Sequence, residues 1–101
     1  MGQEKTPEEI RAEALAKIKL AMRRTTDLFD GEINDLIDAA MIDLGIAGVS
    51  NTALTDALIL QAVTTYCKMK SGEPEEYDRL KASYEEQKAQ LRTATNYTTW
   101  G

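Results

Sequence analysis

The chain has 101 residues, a net charge of −5, 43% hydrophobic and 29% charged residues, and only 6% aromatics. That length holds one domain with one modest core, and an apolar set dominated by Ala, Leu, Ile and Met favours helices over strands. Histidine is absent and cysteine occurs once, as Cys67, which excludes an internal disulfide, a zinc site of Cys/His spacing and the commonest general base.

The start, MGQEKTPEE, is polar and has no apolar stretch of the kind a secretory signal needs. Its first six residues fit the loose myristoylation pattern through Gly2 and Thr6, a match that arises often by chance. Thr6-Pro7-Glu8-Glu9 is a helix start: Thr6 caps, Pro7 suits the first turn and Glu9 completes a capping box. Ile10, Ala14, Ile18, Ala21 and Met22 form one apolar stripe with Leu15 beside it, which predicts a first helix over 7–23. Thr25-Thr26-Asp27 breaks it, and Asp30 is the expected N-cap of a second helix. Ile33, Leu36, Ile37, Ala40, Met41 and Leu44 give that helix the best amphipathic pattern in the chain. Gly45 is expected in the left-handed position after it, with Ile46 making the hydrophobic contact and 45–51 forming a loop that turns again at Gly48.

A third helix is predicted over 52–70 as the most buried element, carrying Leu54, Leu58, Ile59, Ala62, Val63, Tyr66 and Cys67. Ser71-Gly72 ends it, and Pro74 opens a fourth helix whose first turn holds Glu75, Glu76 and Asp78. The fourth helix has a thin stripe of Tyr77, Leu80, Tyr84 and Leu91, interrupted by Gln87. After Leu91 the segment TATNYTTWG is rich in Thr and aromatics and is expected to be extended. The expected fold is therefore all-α: a single helical domain over 1–101, a bundle of about four helices with a polar start (1–6) and an aromatic tail (93–101). No apolar run approaches the roughly 20 residues of a membrane span, so no membrane association is expected.

Charge is segregated. From Thr25 to Cys67 there are seven acids (Asp27, Asp30, Glu32, Asp35, Asp38, Asp43 and Asp56) and no base, while Lys17, Lys19, Arg23 and Arg24 form a basic cluster just before them. A head-to-tail contact between copies would use this asymmetry, and two solvated helix faces would give the same pattern. The basic cluster also allows an alternative, a small helical nucleic-acid-binding or regulatory protein contacting phosphates through the end of helix one; the net charge argues against duplex binding by the whole surface. Asp35 and Asp38 lie one turn apart on an exposed face, where solvated carboxylates are expected rather than an acid–base pair. Cys67, beside Tyr66 on an apolar face, is expected to be a buried structural thiol. No phosphate loop or dinucleotide fingerprint occurs, so no cofactor or metal is expected and the chain reads as a non-enzyme. Tyr97 and Trp100, the latter the only tryptophan, are expected either to fold back over the bundle or to anchor on a neighbouring subunit or partner.

These pieces in this order resemble the head–tail connector (head-completion adaptor) proteins of long-tailed bacteriophages and prophages. The motifs that carry the resemblance are DLIDAA (35–40), DLGI (43–46), TTYCK (64–68), GEPEEYDRLKASYEEQKAQL (72–91) and the Tyr-Thr-Thr-Trp ending, and together they lie within residues 20–101. The resemblance implies a helical bundle that forms a homo-oligomeric ring, docks beneath the portal protein after DNA packaging, and presents a surface to the next head-completion or tail protein. It implies a channel that encloses DNA without sequence-specific binding, a place at the head–tail junction of a virion built in the bacterial host cytoplasm, and no catalytic residues. On this reading the candidate interface residues are Lys17, Lys19, Arg23, Arg24, Asp35, Asp38, Tyr97 and Trp100.

Overall fold

Caps decide where the helices begin and end in the computed structural model, which describes residues 5–50 and 53–94. The elements are α1 (Pro7–Ala21), α2 (Asp30–Ile46), α3 (Ala57–Ser71), a 3-10 turn over Pro74–Glu76, and α4 (Tyr77–Thr93). Among the described residues there is no strand, so the fold is all-α as expected.

α1 starts on the predicted capping box. The Glu9 N–H donates to Thr6 Oγ1 at 3.1 Å, and the Thr6 N–H donates to Glu9 Oε1 at 2.8 Å. The Thr6 N–H, followed by the Thr6 hydroxyl, holds the Glu9 carboxyl below its ordinary value. The helix ends two residues before the predicted end at residue 23. Arg23 takes a left-handed backbone (φ 60°), its N–H donates to Leu20 O at 3.0 Å, and the Arg24 N–H donates to Lys19 O at 2.8 Å. This is a Schellman closure with arginine in the place that glycine usually fills, a strain of roughly 1 kcal/mol or more.

Two sequence expectations fail at the ends of α2. Asp30 is its first helical residue rather than its cap, and no side chain caps the helix. The reason is a competing ion pair: the Asp30 carboxylate faces the Lys19 ammonium 2.9 Å away instead of the backbone N–H groups ahead of it. At the other end Gly45 stays helical and Gly48 (φ 102°) takes the left-handed position. The Gly48 N–H donates to Gly45 O at 3.0 Å and the Val49 N–H to Leu44 O at 2.9 Å. Val49 and Leu44 are both fully buried, whereas Ile46 is 81% exposed. The hydrophobic contact that fixes a Schellman end thus exists three residues later than predicted.

α3 begins at Ala57, five residues later than expected, because Asp56 caps it. The Asp56 side chain accepts from the Leu58 N–H at 2.9 Å and the Ile59 N–H at 3.3 Å. Leu54 is still buried, reaching the core from the segment before the helix. α3 buries Ile59, Ala62, Val63, Thr65, Cys67 and Met69 and packs against each of the other three α-helices. Burial pushes the Cys67 thiol up to about 12, as befits a structural cysteine. The core formed around α3 takes Ile18 from α1, Ile37 and Leu44 from α2, and Tyr84 from α4.

The end of α3 is tight. A Cβ on Gly72 would lie 2.5 Å from the Lys68 carbonyl oxygen, a backbone atom that cannot swing away. Gly72→Ala is therefore expected to cost about 1–3 kcal/mol, read as a shift of the urea midpoint at unchanged m. A variant as stable as wild type would show that the turn after α3 relaxes freely. Beyond it, Pro74 opens the 3-10 turn, and the α-helix proper starts at Tyr77. Leu80, Tyr84 and Leu91 carry the buried stripe of α4, while Tyr77 is partly exposed. The molecule is a flat plate, 41 × 41 × 17 Å.

Candidate functional site: an interhelical clamp and two charged faces

Three helices meet on one polar network. From α4, Tyr84 Oη donates to Asp43 Oδ2 of α2 at 2.6 Å, and Lys88 Nζ donates to the same oxygen at 3.0 Å. Lys88 also lies 3.4 Å from Glu85 and sits over the Tyr84 ring at 5.1 Å. Tyr66 of α3 meets Tyr84 edge-on with centroids 5.3 Å apart, and Lys70 stands 5.5 Å above the Tyr66 ring.

Burial alone would raise the Asp43 carboxyl, but the hydrogen bonds from Tyr84 and Lys88 outweigh it and hold the carboxyl below its ordinary value. Burial, then the bond to Asp43, pushes the Tyr84 hydroxyl well above the usual phenol range. For Lys88, burial acts downward, yet the Asp43 carboxylate carries it above its ordinary value. The network therefore holds a fixed charge pair and a neutral phenol rather than a group poised to move protons at neutral pH.

The sequence reading treated Tyr84 as a packing residue and did not single out Asp43 or Lys88. The available signal was the pair Tyr84 and Lys88, one turn apart on α4, together with an acid beside Leu44 at the edge of the apolar stripe of α2.

The basic cluster does not form one patch. Lys19 is only 13% exposed and bridges Asp27 at 2.7 Å and Asp30 at 2.9 Å; the bond to Asp27, then that to Asp30, raises its ammonium above the ordinary value. Arg24 donates from Nη2 to the Ser71 carbonyl at 3.1 Å and stacks over Phe29 at 5.5 Å. These two bases fasten the end of α1 to α2 and α3. Lys17 and Arg23 face solvent.

On α2, Asp38 accepts from Arg11 at 2.6 Å, and Arg11 also reaches Asn34 at 3.1 Å. Asp35 is exposed beside a cleft of about 490 Å³ lined by Met22, Arg24, Phe29, Leu36 and Lys70. Asp38 is thus tied to α1, while Asp35 stands at the cleft. Tyr97 and Trp100 lie outside the described residues. Among the described residues no group of three or more His, Cys, Asp or Glu is placed to hold a metal ion, and no helix is long and apolar enough to cross a membrane.

The polar groups that are withdrawn from water here tie helix to helix, and the charges that remain outside lie on broad helix faces. That is the organisation of a small helical structural module that works by contact. The chain belongs to the phage connector protein family, whose model matches residues 14–98. No curated protein and no solved structure matches it significantly. The family is structural rather than catalytic, so the chain is a structural phage protein, a component of the virion that contacts other head or tail proteins. The match begins at Ala14, so the first seven residues of α1 lie outside it.

Proposed function

We propose that this connector is a ring-forming adaptor that docks on the portal of a tailed phage once DNA is packaged and joins head to tail at their junction. The observation that carries this reading is the family match across residues 14–98, on a helical plate stiffened by the Asp43–Tyr84–Lys88 network. A rigid subunit with distinct charged faces suits repeated contacts between copies. The aromatic tail supplies a partner anchor through Tyr97 and Trp100, and Lys17, Arg23 and Asp35 supply exposed charge. Nucleic-acid binding through Lys17, Lys19, Arg23 and Arg24 has less support, because Lys19 and Arg24 are held by groups of the same chain.

The test is electron microscopy of portal-bearing heads mixed with the protein. Wild type is expected to add density at the portal vertex and to allow tail joining. Trp100→Ala is expected to keep its melting temperature and to lose most of that joining. Absence of wild-type binding to such heads would overturn the adaptor reading, and a large drop in the melting temperature of Trp100→Ala would place that side chain in the subunit's own core.

A further inference from the structure

Two surfaces of the plate carry exposed aliphatic side chains beside exposed charge, acidic on one and basic on the other. The first is the outer face of α2. Ile33, Ile37, Ala40 and Leu44 point into the core, and Asp35, Ile42 and Ile46 lie on the opposite side, within a stripe about 40° wide at 100° per residue. Ile42 is 64% exposed and Ile46 81%. Asp35 is exposed on this stripe, whereas Asp38 and Asp43 at its flanks are held by Arg11 and Lys88 of the same chain.

The second surface is the last turn of α1 with the loop that leads from it to α2. Leu20 is 79% exposed and Leu28 80%. Lys17 and Arg23 are exposed here, whereas Lys19 is held by Asp27 and Asp30 and Arg24 by the Ser71 carbonyl. Lys19 pins this turn by its bonds to Asp27 and Asp30, so Leu20 and Leu28 are held out in water by a braced backbone. Arg23 keeps its strained left-handed conformation on the same turn.

Large aliphatic side chains this exposed, set beside exposed charge, suit contact surfaces. The two faces share no residue, and the exposed Asp35 of one is complementary to the exposed Arg23 of the other.

We infer that the partner of the α2 outer face is a second copy of this chain, which seats its α1–α2 turn there. Leu20 and Leu28 of one copy lie against Ile42 and Ile46 of the next, and Arg23 of the first approaches Asp35 of the second. Because the two patches differ, the contact is heterologous and repeats head to tail. This assignment rests on the adaptor reading above and specifies the joint between its subunits.

The experiment is site-directed cross-linking with a short bis-maleimide, in concentrated protein and on portal-bearing heads, with wild type and its buried Cys67 as the control. A mixture of Leu20→Cys and Ile46→Cys copies is expected to give a cross-linked dimer, and neither variant alone is expected to do so. A chain carrying both substitutions is expected to give a ladder. Arg23→Glu in the Leu20→Cys copy should cut the yield about tenfold through like-charge repulsion, and Asp35→Lys in the Ile46→Cys copy should restore it. Arg23→Gly, which removes the backbone strain, should keep or raise the melting temperature and still lower the yield.

A dimer from Ile46→Cys alone would show an α2-to-α2 joint and overturn the assignment, as would no cross-link in either setting. Head binding without the cross-link would reject this joint and leave the adaptor reading standing. The cross-link without head binding would keep the joint and reject the adaptor.

Discussion

Replacing Tyr84 by Ala is expected to lower stability by about 3–5 kcal/mol, as for other large buried aromatics. The side chain is 1% exposed, meets Tyr66 edge-on and donates to Asp43, so truncation removes core volume, a ring contact and a charge-assisted hydrogen bond together. Small domains have only about 5–15 kcal/mol to lose, so the melting temperature should fall by more than about 12 °C. Tyr84→Phe separates the contributions: it keeps the ring and is expected to cost about 1.5–3 kcal/mol, the range for a hydrogen bond to a charged group.

The pH dependence has a defined sign. Asp43 is held below its ordinary value of 3.8, so its contribution is present above about pH 4 and is lost as pH falls through its folded-state value. Tyr84 and Lys88 are held above theirs, so their contributions are present below about pH 10 and are lost as pH rises. Asp43→Asn should therefore lie below wild type at neutral pH and converge on it in acid. Chemical denaturation across pH 3–7 reads this directly, and a Tyr84→Phe chain as stable as wild type would show that the phenol–carboxylate bond contributes nothing net.

Ile18→Ala is the second large effect, with an expected loss of about 2–5 kcal/mol. Its distribution matters as much as its size. In α1 only Ala14 and Ile18 are buried, whereas α3 buries six residues and packs against every other α-helix. Removing the larger of the two anchors should let α1 open on its own before the rest unfolds. Hydrogen exchange should then show the amides of α1 losing protection by a larger factor than those around Ile59 to Cys67. Equal losses in both helices would mean that α1 and α3 open as one unit.

What sequence could foretell divides along a physical line. The Thr6 cap is an exchange between side chains and backbone three residues apart, so it was visible as a local pattern and the structure reproduces it. The helix order was legible for the same reason, since the apolar periods of α1, α2 and α4 are local. Where a remote group competes, local signals misled. Asp30 looked like a cap until Lys19, eleven residues earlier, took its carboxylate. Gly45 looked like the end of α2, but the buried partner that fixes such an end is Val49.

The Asp43 network joins residues 41 and 45 positions apart, and no window along the chain contains it. The basic cluster was equally ambiguous. Its four residues are neighbours in sequence, yet Lys19 and Arg24 turn inward while Lys17 and Arg23 do not. The family resemblance read from the motifs holds, since residues 14–98 match the phage connector model.

The thinness of the plate has a thermodynamic consequence. At 17 Å it is about one and a half helix diameters deep. The chain of 11.2 kDa exposes 6671 Å², where a compact monomer of that mass exposes roughly 5,700 Å². A body so shallow has little interior that lies far from a surface, so whatever covers a broad face acts as an additional layer of core. Assembly and folding then draw on the same apolar area, and mass action couples them: each contact made only by the folded chain removes population from its unfolded ensemble. The stability of the isolated chain is accordingly a floor, and the durability of the protein in a particle is a property of its neighbours as much as of its own sequence.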